Sequence, residues 1–147
     1  MNIEVYRNYC IQKQGVTESF PFPKNLPNVL VFKVGGKMFT ATDVSAFASI
    51  TVKCKPENVD LLREKYPAVT LPGYMNKNHW NRIIMDHSIP DSLIYQWIDE
   101  SYDLVCRKLP KRTRLELGFK FWVNDIFRLG FEIPIPSLIF QTRNWEA

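Results

Sequence analysis

The sequence predicts an α+β fold, a two-layer sandwich in which helices pack on one face of a mainly antiparallel sheet. Segment 46–54 alternates apolar and polar residues, as a half-buried strand does, and the apolar segment 28–34 is also predicted to be a strand. The first segment runs into Gly35-Gly36, a pair typical of a hairpin turn, which predicts an antiparallel partner at 37–40. Helical periodicity over 2–13 and 90–109 places helices at both ends of this strand group and favours a separate helical layer.

Local signals in the first half of the chain define the start of this order. Asn2 is a suitable N-cap for the first helix. Segment 17–23 is punctuated by two prolines and is therefore expected to be extended, with Phe20 and Phe22 covering an edge of the core. In segment 46–54, period two predicts one apolar and one polar face.

The second half adds two helices and one strand. Pro56 at a first helical turn predicts a helix that ends near Tyr66. A strand is predicted over 80–86, with Trp80 and Arg82 on the same side. Pro90 opens the longest helix, which has acidic Asp91 at its start and basic residues at its end, as the helix dipole favours.

The stretch 71–81 concentrates residues suited to recognition. Pro72-Gly73 predicts a turn, because proline restricts φ and glycine tolerates positive φ. Tyr74 and Trp80 are expected to anchor a polar turn that presents Asn76, Lys77, Asn78 and His79. Two interpretations remain open: a recognition loop, or core aromatic residues joined by a solvated turn.

Charge and cysteine usage bound the class of protein. The net charge of +4 permits a polyanionic partner such as nucleic acid without requiring one. Met1–Glu4 lacks the pattern of a secretory signal, and no window approaches the roughly 20 apolar residues of a membrane span. Cys10, Cys54 and Cys106 are widely spaced, which predicts free thiols in a reducing compartment. We therefore expect a cytoplasmic protein with no membrane partner.

Candidates for catalysis and metal binding are sparse. The best general base is His79 and the best nucleophiles are Cys54 and Ser49, but no nucleophile elbow, phosphate loop or paired carboxylate accompanies them. His79 and His87 share no tight spacing, and no cysteine pair has a zinc-like spacing. The sequence predicts a non-enzymatic protein with no catalytic residues, no metal site and no cofactor.

A series of motifs runs in order through the first 115 residues: Gly15-Val16-Thr17-Glu18-Ser19-Phe20-Pro21-Phe22, Val31-Phe32-Lys33-Val34, Gly36-Lys37-Met38-Phe39, Lys53-Cys54 with Pro56, Pro72-Gly73-Tyr74, Asn76-Lys77, His79-Trp80-Asn81, Ile89-Pro90-Asp91 and Ser101-Tyr102-Asp103-Leu104-Val105. Together they resemble the MmcQ/YjbR family of small bacterial proteins. The resemblance implies a CyaY/frataxin-like sandwich and, by analogy with a double-wing arrangement of sheet and helices, DNA binding. The first helix carries only Glu4 as an acid, unlike the acidic first helix with which frataxins bind iron.

The resemblance also has departures in the 71–81 loop. Met75 follows Tyr74 directly, where the family often has a histidine, and Asn78 replaces a basic residue. The loop is one residue shorter and carries less charge than is usual in the family. Both changes weaken the case for DNA at this loop.

If the family's DNA-binding role holds, the contacts divide into two groups. The phosphate contacts would come from Lys77, Arg82, Arg107, Lys108, Lys111, Arg112 and Arg114. The sugar or base-edge contacts would come from Asn76, Asn78 and His79. Pairing across the Gly35-Gly36 turn places Lys33 and Lys37 on opposite faces, so the sheet lysines are not expected to form one stripe. Helix-end capping and solubility remain an open explanation for the 107–114 cluster, and a small-molecule site beside the loop is a further alternative.

The resemblance ends near Leu115, which divides the chain into a domain at 1–115 and a C-terminal extension at 116–147. Apolar residues recur at period two over 119–123 and 127–135, with Asn124-Asp125 between them, which predicts an aromatic hairpin or arm. An uncovered apolar arm is typical of an interface. Three roles remain open: an extra layer, homo-oligomer formation, or no selected role. A protein-interaction module that uses this arm is the alternative to DNA binding.

Overall fold

The computed structural model describes residues 1–119, in which four helices and six strands are present. The elements are α1 Ile3–Ile11, β1 Val16–Ser19, β2 Val29–Val34, β3 Lys37–Asp43, β4 Ser49–Lys53, α2 Pro56–Lys65, β5 Val69–Thr70, β6 Trp80–Ile84, α3 Asp91–Lys108 and α4 Lys111–Glu116. The strands form one antiparallel sheet in the order β1-β2-β3-β4-β6-β5. The arm predicted beyond Phe119 lies outside the described residues.

Helices cover one face of this sheet, which confirms the predicted two-layer sandwich. Helix α3 packs on β2, β3 and β4, α2 packs on β5 and β6, and α1 lies beside β1. Ring pairs join the two layers: Tyr6 meets Phe32 edge-on at 5.5 Å between centroids, and Phe39 meets Tyr102 at 5.3 Å. Each such buried ring contributes about 1.5–3 kcal/mol through loss of apolar surface to water.

The strand register determines which side chains avoid the helices. Ser49, Thr51 and Lys53 of β4 lie opposite Ile84, Arg82 and Trp80 of β6, all on the face where no described helix packs. We call this the helix-free face. The predicted alternation in both strands is confirmed.

The lysines of the β2–β3 hairpin also follow the register. Lys33 lies opposite Met38 and Val34 lies opposite Lys37, so Lys33 and Lys37 point to opposite faces as predicted. The sheet lysines therefore form no single stripe, as expected, although two of them share a face. Val31 of β2 lies opposite Ala41 of β3, which lies opposite Thr51 of β4. Alternation along β2 and β4 then places Lys33 and Lys53 together on the helix-free face.

Several local expectations fail for physical reasons. Phe20 and Phe22 are 49% and 48% exposed and do not cover the core, because the chain leaves the sheet after Ser19. Strand β5 and helix α4 were not predicted, because two residues give no periodicity and α4 buries none of its residues. Strand β4 begins later than predicted, after Phe47 adopts a positive φ of 46° in the preceding turn.

The chain remains attached to the core past the predicted boundary at 115. Helix α4 spans that boundary, Leu117 lies against Gly15, and Phe119 is buried in the core. The division at 115 stays a prediction. Within residues 1–119, no helix is long and apolar enough to cross a membrane.

Candidate nucleic-acid interface

The loop between β5 and β6, residues 71–79, is held from below by Arg63, which the sequence analysis did not select. Its guanidinium donates to Asn81 Oδ1 at 2.6 Å, to the carbonyl oxygen of Trp80 at 3.2 Å, and to the carbonyl oxygen of Lys77. Arg63 follows Val59 by four residues and so shares the buried side of α2. Its position on the buried side of a helix is the sequence signal that could have identified it, because a buried cation needs hydrogen-bond acceptors or a counter-charge.

A second set of bonds shapes the loop from within. Asn76 Oδ1 accepts from the backbone N–H of Asn78 at 2.9 Å, and the Asn76 carbonyl accepts from His79 and Trp80 at 3.1 and 3.0 Å. The His79 carbonyl in turn accepts from the N–H of Cys54 at 2.7 Å. Asn76 therefore organises the turn with its side-chain oxygen, which leaves Lys77 and Asn78 as the polar side chains exposed at the tip.

Arg82 supports the other side of the loop. Gly73 has φ +69°, and a Cβ at that position would collide with the Arg82 guanidinium. The positive φ is what favours glycine here, because the guanidinium is the far end of a flexible side chain that could move aside. Arg82 of β6, a predicted recognition residue, therefore lies against the loop that contains Lys77, another predicted recognition residue.

Tyr74 in the loop and Trp80 at the start of β6 have opposite environments. Tyr74 is 98% exposed, whereas Trp80 is 9% exposed and lies beneath the Lys53 ammonium, 6.0 Å from the ring centroid. The expectation that Tyr74 anchors the loop is wrong, because the arginines and Asn76 hold it instead. Trp80 is the buried aromatic, and it sits on the helix-free face rather than in the helix-side core.

Cations from separate parts of the chain meet at one end of the sheet. That end contains the β2–β3 turn, the end of β4 and the start of β6. Leu109 and Thr113 lie against Gly35 in the β2–β3 turn, so the end of α3 and the start of α4 are there too. We call this the basic end and define it by five lysines: Lys33, Lys37, Lys53, Lys77 and Lys108. None of these five forms an ion pair with any of residues 1–119.

Lys53 and Lys108 are close enough to affect each other. The pKa of Lys53 is lowered, first because the side chain is partly buried and second because the Lys108 charge repels its proton. Neither strand periodicity nor helix periodicity connects these residues. A bound anion would offset the repulsion between these two ammonium groups.

The predicted cluster at 107–114 is only partly available. Arg107 pairs with Asp103 at 3.6 Å, as its spacing indicates, and Arg112 pairs with Glu116 at 3.1 Å. Both pairs are exposed and so contribute little stability. Lys108 and Lys111 are exposed, and Arg114 is half-buried. Of this cluster, Lys108 is the residue that the structure joins to the sheet lysines.

The opposite end of the sheet is acidic. Strand β3 ends at Asp43, Asp86 follows β6, and Asp91 begins α3 beside the N-terminal amine, 3.2 Å from it. Hydrogen bonds from Ser45 and Ser88 lower the pKa values of Asp43 and Asp86, so both stay ionised. The sheet therefore has a positive end that carries the loop and a negative end that does not.

The residues weighed for chemistry are not assembled. Ser49 and Cys54 stand at opposite ends of β4. Burial raises the pKa of the Cys54 thiol to about 11, which makes it a poor nucleophile at neutral pH. Among residues 1–119, no group of three or more His, Cys, Asp or Glu side chains is placed to hold a metal ion.

Fold and site together define a small α+β sandwich with a charged sheet end and a rigid loop. The YjbR family model matches residues 11–104, and the chain belongs to the YjbR family. It is 31% identical over 115 residues to Uncharacterized protein YjbR of Escherichia coli strain K12, an alignment that covers 78% of this chain and 95% of that one. It is 35% identical over 113 residues to Uncharacterized protein YbdF of Escherichia coli O157:H7, with 76% and 89% covered.

Solved structures agree with the fold. The crystal structure of a Deinococcus radiodurans protein with a DUF419 domain matches with a TM-score of 0.73 and 31% identity, over 80% of this chain and 88% of that chain. A Pseudomonas syringae protein matches with a TM-score of 0.60 and 23% identity, over 71% and 99%, which bears on the fold alone. None of these names states an activity, so function has to be argued from the site.

Proposed function

We propose that the protein binds DNA through its basic end. Lys33, Lys53 and Lys108 contact phosphates from the sheet and from α3, and Lys77 does so from the loop. Asn78 and His79 lie beside Lys77 and face the sugars or base edges. In this proposal Asn76 shapes the loop and does not contact DNA.

The observation that carries this proposal is that five lysines lie at one end of the sheet and form no ion pair with any of the residues that the structure describes. Phosphate neutralisation dominates affinity for DNA, and it needs several cations on one surface. The pKa of Lys53 is lowered mainly by burial and in addition by repulsion from Lys108, and neither lysine has a carboxylate partner among residues 1–119. A polyanion offsets that repulsion, whereas a neutral ligand does not.

The charge separation along the sheet supports the same conclusion. With Asp43, Asp86 and Asp91 at the far end, a polyanion is attracted to one end and repelled from the other. The loop at 71–79 is at the attractive end and contains no acidic residue.

The alternatives have less support among the described residues. The interaction module requires the arm beyond Phe119, which lies outside them. A small cavity lined by Met1, Ile84, His87 and Ile94 is at the acidic end and so is remote from the loop. DNA binding is the function for which contacts, charge and position agree.

The test is a salt titration of DNA binding, followed by fluorescence anisotropy with an end-labelled duplex. We expect Lys53→Ala, Lys77→Ala and Lys108→Ala each to weaken binding similarly for different DNA sequences. Each should reduce the slope of log affinity against log salt by roughly one unit, because about one phosphate contact is lost. The matched control is Lys24→Ala, an exposed lysine that is outside the basic end.

Two results would count against the proposal. One is the absence of wild-type binding at low salt. The other is an equal slope change for Lys24→Ala and Lys53→Ala, which would assign the attraction to net charge rather than to this surface.

A further inference from the structure

We propose that Tyr74 is a stacking platform for an unpaired base, so that the protein binds single-stranded DNA in preference to intact duplex. This inference rests on the proposed function and specifies its ligand. It follows from the exposure of Tyr74, the rigidity of its loop and the charge beside it.

The Tyr74 ring makes almost no contact with its own chain. It is 98% exposed, whereas Tyr6 and Tyr102 are fully buried and Leu71, in the same loop, is 58% exposed. A ring with both faces in water gains nothing for folding. It remains available to a flat apolar partner, and every nucleic-acid base has such a face.

The backbone on the C-terminal side of this ring is held by hydrogen bonds. Arg63 and Asn76 bind the residues that follow Tyr74, and Arg82 lies against Gly73 before it. A ring presented by a rigid loop loses little conformational entropy when it binds, which favours affinity. A flexible loop tip would give the same exposure without this advantage.

The surroundings of Tyr74 select a nucleic-acid ligand over a neutral aromatic ligand. Lys77 is three residues away in the same loop and forms no ion pair with the described residues. The strand that leaves the loop places Trp80 beside Lys53. A phosphate chain whose base stacks on Tyr74 therefore meets lysines along its path.

Three other aromatic residues of the described part of the chain, residues 1–119, are less suited to this role. Trp80 is covered and offers no free face. Phe20 and Phe22 are half-exposed but follow β1, whose last residue Ser19 lies toward the acidic end opposite Val31. Bases paired within a duplex have their faces occupied by neighbouring bases, so a single stacking ring favours unpaired ones.

The experiment compares three end-labelled DNA probes of one sequence: a single strand, its duplex, and the duplex with one unpaired base. Each is titrated with wild-type protein, Tyr74→Ala, Tyr74→Phe and the loop control Leu71→Ala. We expect Tyr74→Ala to weaken single-strand binding by roughly fivefold to 150-fold, the effect of losing one base–aromatic stack. Tyr74→Phe and Leu71→Ala should bind nearly as wild type does.

Two further readouts separate stacking from a general loss of binding. Tyr74→Ala should leave the salt slope unchanged, because no phosphate contact is removed, whereas Lys53→Ala should reduce it. Because Tyr74 is exposed, its variants should keep the wild-type thermal melt.

The outcomes distinguish the two proposals. Salt-dependent DNA binding that needs Lys53 but is indifferent to Tyr74→Ala, or that shows no preference for the single strand, would overturn the stacking role and leave the proposed function standing. Loss of binding in Tyr74→Phe equal to that in Tyr74→Ala would also overturn stacking. Absence of wild-type binding to all three probes would overturn both.

Discussion

Lys13 and Lys53 are lysines of the same chain in opposite environments. Lys13 is 5% exposed between α1 and α3, where its ammonium donates to Asp99 Oδ1. The ammonium also lies 4.8 Å and 5.2 Å from the ring centroids of Tyr9 and Tyr102. Lys53 belongs to the basic end and has no carboxylate partner among residues 1–119.

The partner of a cationic side chain, rather than its residue type, indicates the role of that side chain. The buried Lys13–Asp99 pair ties two helices together, and the Tyr9 hydroxyl donates to the same carboxylate oxygen at 2.6 Å. Burial, followed by this bond to Asp99, raises the pKa of Tyr9, so it remains a donor at neutral pH. The lysines of the basic end form no ion pair within residues 1–119, and in the proposed function they are the groups that meet the phosphates of a ligand.

The largest expected effect is the loss of stability in Trp80→Ala. It tests whether Trp80 supports the structure of the basic end, in contrast to the lysines there, which are proposed to bind the ligand. Because the ring is buried beneath Lys53, its removal should cost about 3–5 kcal/mol of unfolding free energy. Urea denaturation with linear extrapolation measures this. A loss below about 1 kcal/mol would mean that the ring is not packed as described.

Asp99→Ala should be next in size, because it leaves Lys13 buried without a counter-charge. The loss should be about 3 kcal/mol, at the lower end for broken buried pairs since the carboxylate is 29% exposed. Lys13→Met added to this variant should restore part of the stability, as measured by the same denaturation. A neutral effect of Asp99→Ala would remove the contrast between Lys13 and Lys53.

A smaller effect is expected on the pKa of Lys53, which tests the basic end directly. NMR titration of the Lys53 side chain should find the pKa below its ordinary value of 10.5. Lys108→Ala should raise the pKa because one repelling charge is removed, and bound DNA should raise it further because phosphates favour the protonated form. An unchanged pKa in Lys108→Ala would show that the two ammonium groups do not interact.

The smallest expected effect concerns the rate at which the cysteine thiols react with an alkylating reagent. It extends the comparison of environments from lysines to cysteines. Burial raises the pKa of Cys54 to about 11 and that of Cys106 to about 12, and it raises that of Cys10 further. Little thiolate is therefore present at neutral pH. Native protein should react slowly with iodoacetamide and urea-unfolded protein quickly. Rapid labelling of Cys54 in the native state would place an accessible, activated thiol beside the loop.

Local signals in the sequence are sufficient to predict the fold class and most of the helices and strands. Asn2 caps α1 with its side-chain oxygen 2.9 Å from the Val5 N–H, as its residue type predicts. The Gly35-Gly36 turn predicts that Lys33 and Lys37 point to opposite faces, and the strand register confirms it. Such features depend on neighbours in the chain, so periodicity and turn chemistry are sufficient to predict them.

Tertiary structure alone decided which of these residues form a site. Sequence patterns do not predict that Lys108 lies near Lys53 or that Arg63 donates to the carbonyl oxygen of Lys77. They also do not predict that Tyr74 is exposed while Trp80 is buried. These relations join residues from different elements, and they depend on how the helices pack across the sheet. Tyr74 and Trp80 lie six residues apart in the sequence, at the loop and at the start of β6. Only packing determines which of the two rings supports the fold and which one is available to a ligand.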